Sequence, residues 1–278
     1  MLGSMVARVL SQDDSLTIVT STRRSGPGSL AFDVSHDSID ELLKVADCEW
    51  IINAIGILDR HIDANDPKSV ARAIEVNGSF PSRLASAAGD WRRLIHISTD
   101  GVFAGRDAPY DERSPHDGPG VYAYSKSLGE VGAHNVVNLR CSLVGPENPP
   151  PTSLLGWVLS QPPGATVTGY TNHFWNGITT LHFAKLCQAV ILAGAHDLPP
   201  LLNVIPGDVV TKADLLRLGL AAFGREDVTV RAQPAEVPMD RTLGTCFPEV
   251  NRRLWEAAGY PAPPTIAQMI RELAWLES

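Results

Sequence analysis

The feature that most constrains this chain is an alternation, through its first half, of short apolar runs with longer amphipathic stretches. Leu16-Thr-Ile-Val-Thr20, Trp50-Ile-Ile-Asn-Ala54, Leu94-Ile-His-Ile-Ser98 and Val136-Val-Asn-Leu-Arg140 read as strands. Between them, Ile39 to Val45, Val70 to Ala88 and Tyr122 to His134 read as helices, and Met5 to Leu10 ends a helix-like segment. A strand followed by a helix returns to the sheet in parallel, so the helices cover both faces. The predicted fold class is therefore α/β, with a doubly wound parallel sheet.

Composition changes after Val144. Pro146 to Pro151 is proline-rich, and Gln161-Pro-Pro-Gly164 is a second loop. Helices follow at Leu181 to Leu192, Lys212 to Phe223 and Ile266 to Leu276, separated by Gly/Pro-rich connections. Residues 1–145 are expected to hold the sheet. Residues 146–278 are expected to form a smaller lobe, partly interleaved with it, over the strand ends where α/β folds bind ligands.

The formal net charge is -8, which disfavours a nucleic-acid partner. No apolar run approaches a membrane span, and no secretory signal is evident. Cys48, Cys141, Cys187 and Cys246 are far apart, which fits reduced thiols in the cytoplasm. The eight histidines have no metal-ligand spacing, and no metal site is expected.

Tyr122-Ala-Tyr-Ser-Lys126 carries the clearest chemistry. A tyrosine four residues before a lysine shares its helix face. The ammonium then favours the phenolate and lowers the tyrosine pKa. A hydroxyl from Ser98 or Thr99, at the end of a strand, would reach the same spot. A proton donor, a tuning charge and a hydrogen bond to oxygen are what ketone reduction needs.

Further segments surround that pair: Ile52-Asn53-Ala54, Val76-Asn77, Ile95-His-Ile-Ser-Thr-Asp100-Gly-Val-Phe103-Ala-Gly105, Tyr110-Asp-Glu112, Ser127-Leu-Gly-Glu130 and Leu139-Arg140. Together they resemble the extended short-chain dehydrogenase/reductase family, in its dTDP-4-dehydrorhamnose reductase branch. The resemblance spans Met1 to Gly145 and is looser afterwards, at Asn176-Gly-Ile-Thr-Thr180 and Met239-Asp-Arg-Thr-Leu243. It implies a Rossmann-type domain and reduction of a 4-keto-6-deoxy sugar nucleotide. Tyr122 would be the general acid, Lys126 would hold the nicotinamide ribose, and Thr99 would bond the substrate carbonyl. It also implies a homodimer. Family dehydratases carry Asp-Glu after the threonine; here Asp100 is followed by Gly101, which removes the second carboxylate of an elimination. Typical reductases of the branch have tyrosine at the position of Gly101.

Met1 to Leu10 looks like the end of a dinucleotide fingerprint, with Gly3 as its last glycine. The first strand and two preceding glycines are expected about ten residues upstream, and their loss would break the sheet in its middle. The alternative is an ordinary amphipathic helix. Arg23 and Arg24, with no acidic residue at that strand end, favour NADPH over NADH, although both also suit a solvated loop. Asp33-Val34 resembles the family's adenine-side dipeptide. Ala54, Ile55, Gly56, Asn77 and Ser98 complete the expected cofactor set. The expected substrate set is Asp100, Val102, Arg140, Trp175, Asn176 and Arg241. For Trp175 and His173 packing under a loop is favoured over contact with a sugar or base, and Arg241 suits either a diphosphate or a surface salt bridge. His96 is expected in the core. Two other readings remain: an epimerase of nucleotide sugars with tightly held NAD, and a cofactor-binding regulatory subunit.

Overall fold

The computed structural model describes residues 1–24, 26, 28–146, 153–194 and 198–277. Of the proline-rich stretch expected at Pro146 to Pro151, only Pro146 lies among them. The first half runs α1 (Leu2–Leu10), β1 (Thr20–Thr22), β2 (Ser29–Ala31), α2 (Ile39–Ala46), β3 (Trp50–Asn53), α3 (Pro67–Ala73), α4 (Phe80–Ala88), β4 (Arg93–Ser98), α5 (Gly120–Leu128) and β5 (Val136–Arg140). The second half runs β6 (Leu143–Val144), α6 (Leu154–Leu159), β7 (Thr166–Tyr170), β8 (His173–Trp175), β9 (Ile178–Thr179), α7 (Thr180–Ala193), β10 (Leu201–Asn203), β11 (Val210–Thr211), α8 (Lys212–Ala222), β12 (Thr229–Gln233), β13 (Met239–Asp240), α9 (Pro248–Ala257) and α10 (Ile266–Glu277).

The main sheet has the order β10-β5-β4-β3, and all its pairings are parallel. The α/β reading holds. Leu94, Ile95, Leu139 and Leu202 on its strands are fully buried, because helices cover both faces. Local signals place those helices. Ser38 accepts the Glu41 N–H to cap α2, and Asp66 followed by Pro67 starts α3.

The sheet is broken on one side. β1 and β2 pair only with each other, and the far edge of β3 has no strand beside it among the described residues. A cavity of about 1180 Å³ lies between, walled by Leu16 to Thr22 on one side and Trp50 to Ile55 on the other. The expected break in the sheet is thus present. It also explains why the strand expected from Leu16 begins only at Thr20: the preceding residues face the cavity and have no partner edge.

Two helices differ from expectation. The segment from Val70 to Ala88 is continuous, but a π-turn over Ile74–Ser79 joins α3 to α4. The helix expected to reach His134 stops at Leu128. At Gly129 an added Cβ would lie 2.1 Å from the Asn77 carbonyl oxygen, so two backbones meet there. Beyond it the Asn138 side chain takes over, accepting the Val131 N–H and donating to the Val131 carbonyl.

In the second half, β8 is flanked by β11, antiparallel, and β13, parallel. Its strand β13 is tied to the loop after β4, the Asp240 N–H donating to the Gly105 carbonyl at 3.1 Å. The main core joins α1, α7 and α10 to the strands, with Trp255, Phe183 and Leu186 fully buried. No helix among the described residues is long and apolar enough to cross a membrane.

Candidate active site

β4 ends at Ser98, and the next residue begins a tight turn. Thr99 caps the short helix Asp100–Val102, its Oγ1 accepting the Gly101 N–H at 3.1 Å. The threonine O–H in turn donates to Asp100 Oδ1 at 3.3 Å. α5 comes alongside and brings Tyr122 to the same place. A Cβ at Gly101 would lie 3.0 Å from Tyr122 Cε1 and 3.3 Å from Thr99 Oγ1. The tyrosine ring therefore occupies the room that the glycine leaves.

The electrostatics differ from the sequence expectation. Burial pushes the Tyr122 hydroxyl up to about 12, opposed by its hydrogen bond with Thr99; the Asp100 charge adds to the rise and Arg241 opposes it. Lys126 is not what tunes it. Its ammonium turns back under the strand and donates to the Ile97 carbonyl at 2.7 Å. Burial lowers Lys126 to about 8, with Glu130 acting in the opposite sense. The expectation that Lys126 lowers the tyrosine pKa is thus corrected: the spacing puts them on one helix face, but the lysine points into the sheet.

Asp100 is enclosed, and burial raises its pKa while Lys212 and Arg241 pull it down. The Ser142 hydroxyl also supports it, and the Trp175 indole N–H holds that serine at 2.9 Å. Trp175 is thus buried and structural, and Lys212 Nζ sits 5.6 Å from its ring centre.

Several residues expected at the site are spent elsewhere. Arg140 is fully buried, gripped by Glu130 at 2.9 and 2.6 Å, and bonded to Asn203 and His116. Four of its five N–H groups are committed in these bonds and none of its surface is exposed, which corrects its expected role as a substrate contact. Ser98 likewise donates to Glu130 at 2.5 Å. Val102 is buried with Phe103, Tyr110 and Leu243 in a separate apolar cluster. Asn176 uses its amide on both backbone groups of Leu243. Asn77, turned inward by the π-turn, bonds both backbone groups of Ile57 and the Ser125 hydroxyl. His96 is buried against Asn53, as expected of a core residue.

A dinucleotide would need a phosphate cradle and a nicotinamide pocket. Gly3, Ala54 and Ile55 line the large cavity together. A Cβ at Gly3 would lie 3.7 Å from Ala54 Cβ, so α1 starts close against the end of β3. No side chain caps α1, and its first N–H groups are free to meet a phosphate. Arg23 is exposed and lies 3.7 Å from Asp33, while Arg24 is also exposed. Gly56 faces Asn77 rather than the cavity, and Val34 is buried in the second core. The residues at the helix start and strand end fit the group; Val34 does not line the cavity.

Sequence reasoning missed Lys212 and Glu130. A signal for Lys212 was present: a cation at the first residue of a helix opposes the macrodipole and calls for another reason to be there. Glu130 was visible only as part of a motif, since its partner Arg140 is ten residues away on a different element.

No curated protein sequence matches the chain significantly. Among solved structures, it is similar to a hypothetical dTDP-4-dehydrorhamnose reductase from Sulfolobus tokodaii, at 19% identity over 87% of this chain and 88% of that one, with a TM-score of 0.69. A dTDP-4-dehydrorhamnose reductase from Bacillus anthracis, solved in complex with NADP, gives 15% identity, 88% and 86% coverage and a TM-score of 0.68. A UDP-glucuronic acid 4-epimerase from Bacillus cereus, in complex with NAD, gives 14%, 98% and 92%, and 0.70. These likenesses establish the fold. The sequence profile of the RmlD substrate binding domain matches residues 1–144, over half of the chain, and the chain therefore belongs to that family.

Proposed function

We propose that this protein reduces a keto group on a sugar nucleotide, of the 4-keto-6-deoxy kind, with NADPH or NADH as reductant. The observation that carries the reading is the shared enclosure of the Thr99 and Tyr122 hydroxyls beside Asp100. When bound, the cofactor supplies a hydride. The chain supplies the rest. A tyrosine held near 12 is protonated at neutral pH, so it has a proton to give to the carbonyl oxygen. Thr99, whose O–H rests on Asp100 while its oxygen accepts from Gly101, would turn that O–H to the same oxygen. Lys126 gives one of its three N–H donors to Ile97, and the remaining two would be its means of holding the cofactor's ribose. Two dTDP-4-dehydrorhamnose reductases among the structural relatives, one of them in complex with NADP, support the reading.

The test is turnover of dTDP-4-keto-6-deoxyglucose with NADPH. Tyr122→Phe should lower kcat by about 10²-fold or more while the fold is kept. Full activity in that variant would refute the proposal. A second reading is favoured by the equally good structural likeness to a UDP-glucuronic acid 4-epimerase. An epimerase would interconvert its sugars with no added reductant and would retain NAD through purification.

A further inference from the structure

His96 carries a polar atom that the fold encloses and leaves without a partner. It stands within β4 and is fully buried. Across the sheet it lies level with Asn53 of β3 and Asn138 of β5, so the three side chains share one face. Asn53 Oδ1 accepts the Ile55 N–H at 3.1 Å, so its Nδ2 is the donor that meets His96 Nδ1 at 3.0 Å. Burial, and then the Lys126 charge, hold the ring well below its ordinary pKa. The imidazole is therefore neutral, with Nδ1 accepting and its one proton on Nε2. That N–H has no partner among the described residues. An unmet donor at such depth is costly.

Its surroundings show what it lacks. Leu94, His96 and Ser98 leave β4 on the same side, where Leu94 clusters with Val76 and Phe80 and Ser98 bonds Glu130 just beyond α5. His96 thus points under α5. There Lys126 gives one N–H to the carbonyl of Ile97, the next residue of β4. Lys126 is buried as well and keeps two more donors. The other groups whose charge reaches it are Glu130 and Cys141. Glu130 is bound to Ser98 and Arg140, and burial keeps the Cys141 thiol protonated. The Asn138 amide is used on Val131 and Pro200. Donors therefore meet donors, and the imidazole and the ammonium call for a common acceptor.

We propose that His96 is a positioning residue for Lys126, acting through one buried water that accepts from His96 Nε2–H and from the ammonium. A water oxygen has two lone pairs for these two donors, and buried polar sites hold such molecules. Held from both sides, the ammonium stays directed at Ile97 and away from Tyr122. One of the two donors that Lys126 keeps goes to the water and the other is left for the ribose; this last point rests on the reductase reading.

The test is nuclear magnetic resonance on the full chain with isotope-labelled histidine and lysine. It uses neither cofactor nor substrate, so it can fail while the reductase reading stands, and the reverse. The His96 ring, assigned through the β4 backbone, should carry its proton on Nε2, and that proton should show a cross-peak to water. In His96→Phe the water is lost, and an ammonium with fewer hydrogen bonds gives up its proton more readily. The Lys126 deprotonation midpoint should then fall by about one pH unit. His96→Gln, which offers Asn53 an oxygen and the water an N–H, should restore it. A merely structural histidine would show neither the water contact nor that rescue. The proposal is overturned by a proton on Nδ1, by an Nε2 proton with no water contact or lost to exchange with bulk solvent, by a midpoint unmoved in His96→Phe, or by one not restored in His96→Gln. The ring measurements need no variant, so they decide the matter even if a substituted chain fails to fold.

Discussion

Gly101 and Tyr122 are fitted to each other, with a Cβ at residue 101 only 3.0 Å from the tyrosine's Cε1. The ring has taken the place that a side chain would fill. Gly101→Ala forces the ring or the Thr99 turn to move by a few tenths of an ångström. The expected result is a kcat lower by about tenfold with a similar KM, because position rather than binding is disturbed. Steady-state kinetics check it; an unchanged kcat would show that the ring has slack.

Glu130 and Arg140 make a different demand. The guanidinium is fully enclosed, and the carboxylate is 9% exposed. Removing one partner leaves an uncompensated charge in the sheet's interior. Glu130→Gln should cost about 3–5 kcal/mol in urea unfolding. It also frees Ser98 and removes the charge that supports the Lys126 ammonium. A loss under 1 kcal/mol would mean that His116 and Asn203 suffice.

The acid that protonates substrate is itself under a neighbour's influence. The Asp100 charge raises the Tyr122 pKa. Reduction needs the protonated phenol, so the rate should fall above that pKa. In Asp100→Asn the neighbouring charge is gone and the tyrosine ionises more readily. The alkaline limb of kcat/KM should therefore move to lower pH. A limb that stays or moves upward contradicts the assigned proton donor.

His182 is buried between α7 and the C-terminal segment, bonded to Tyr260 and Thr179. Burial lowers its pKa to about 4 from 6.5, opposed by Glu272, and Lys185 lowers it further. Below pH 6.5 the unfolded chain binds a proton that the folded chain refuses. Stability should therefore fall as the pH drops from 6.5 to 4, by about 3 kcal/mol at most. His182→Gln should flatten that window in a series of thermal melts. Glu272, held at about 2 by bonds from Tyr260, Lys185 and Gln268 that outweigh its burial, acts only below pH 4.5.

How much of this was legible in the sequence depends on range. The strands β3, β4 and β5 and the helices α2, α7, α8 and α10 follow from local periodicity, and their bounds fall within a few residues of expectation. Tyr122, Lys126 and Thr99 were found because a motif keeps them close in sequence. The role of Arg140 was misjudged, and the bonds of Asn77 and Trp175 went unread, for the opposite reason. Their partners lie 10, 20 and 33 residues away, and only the fold brings Glu130, Ile57 and Ser142 to them. The lysine's direction was equally hidden, since helix spacing fixes the face a side chain leaves from and not the carbonyl it reaches. Short strands such as β6, β9 and β11 are two residues long and carry no periodicity to read.

The π-turn at Ile74–Ser79 has a consequence for how this sequence can change over generations. Its wider turn holds one residue more than an α-helix would need. A deletion within it would restore a regular helix, and by helical propensity alone would look harmless. Yet the residues that the wide turn aims inward would lose that direction. Asn77 would swing away from Ile57 and Ser125, and the carbonyl against which Gly129 fits would leave with it. Point substitutions should thus be accepted along the exposed side of this helix, whereas changes of its length should be purged.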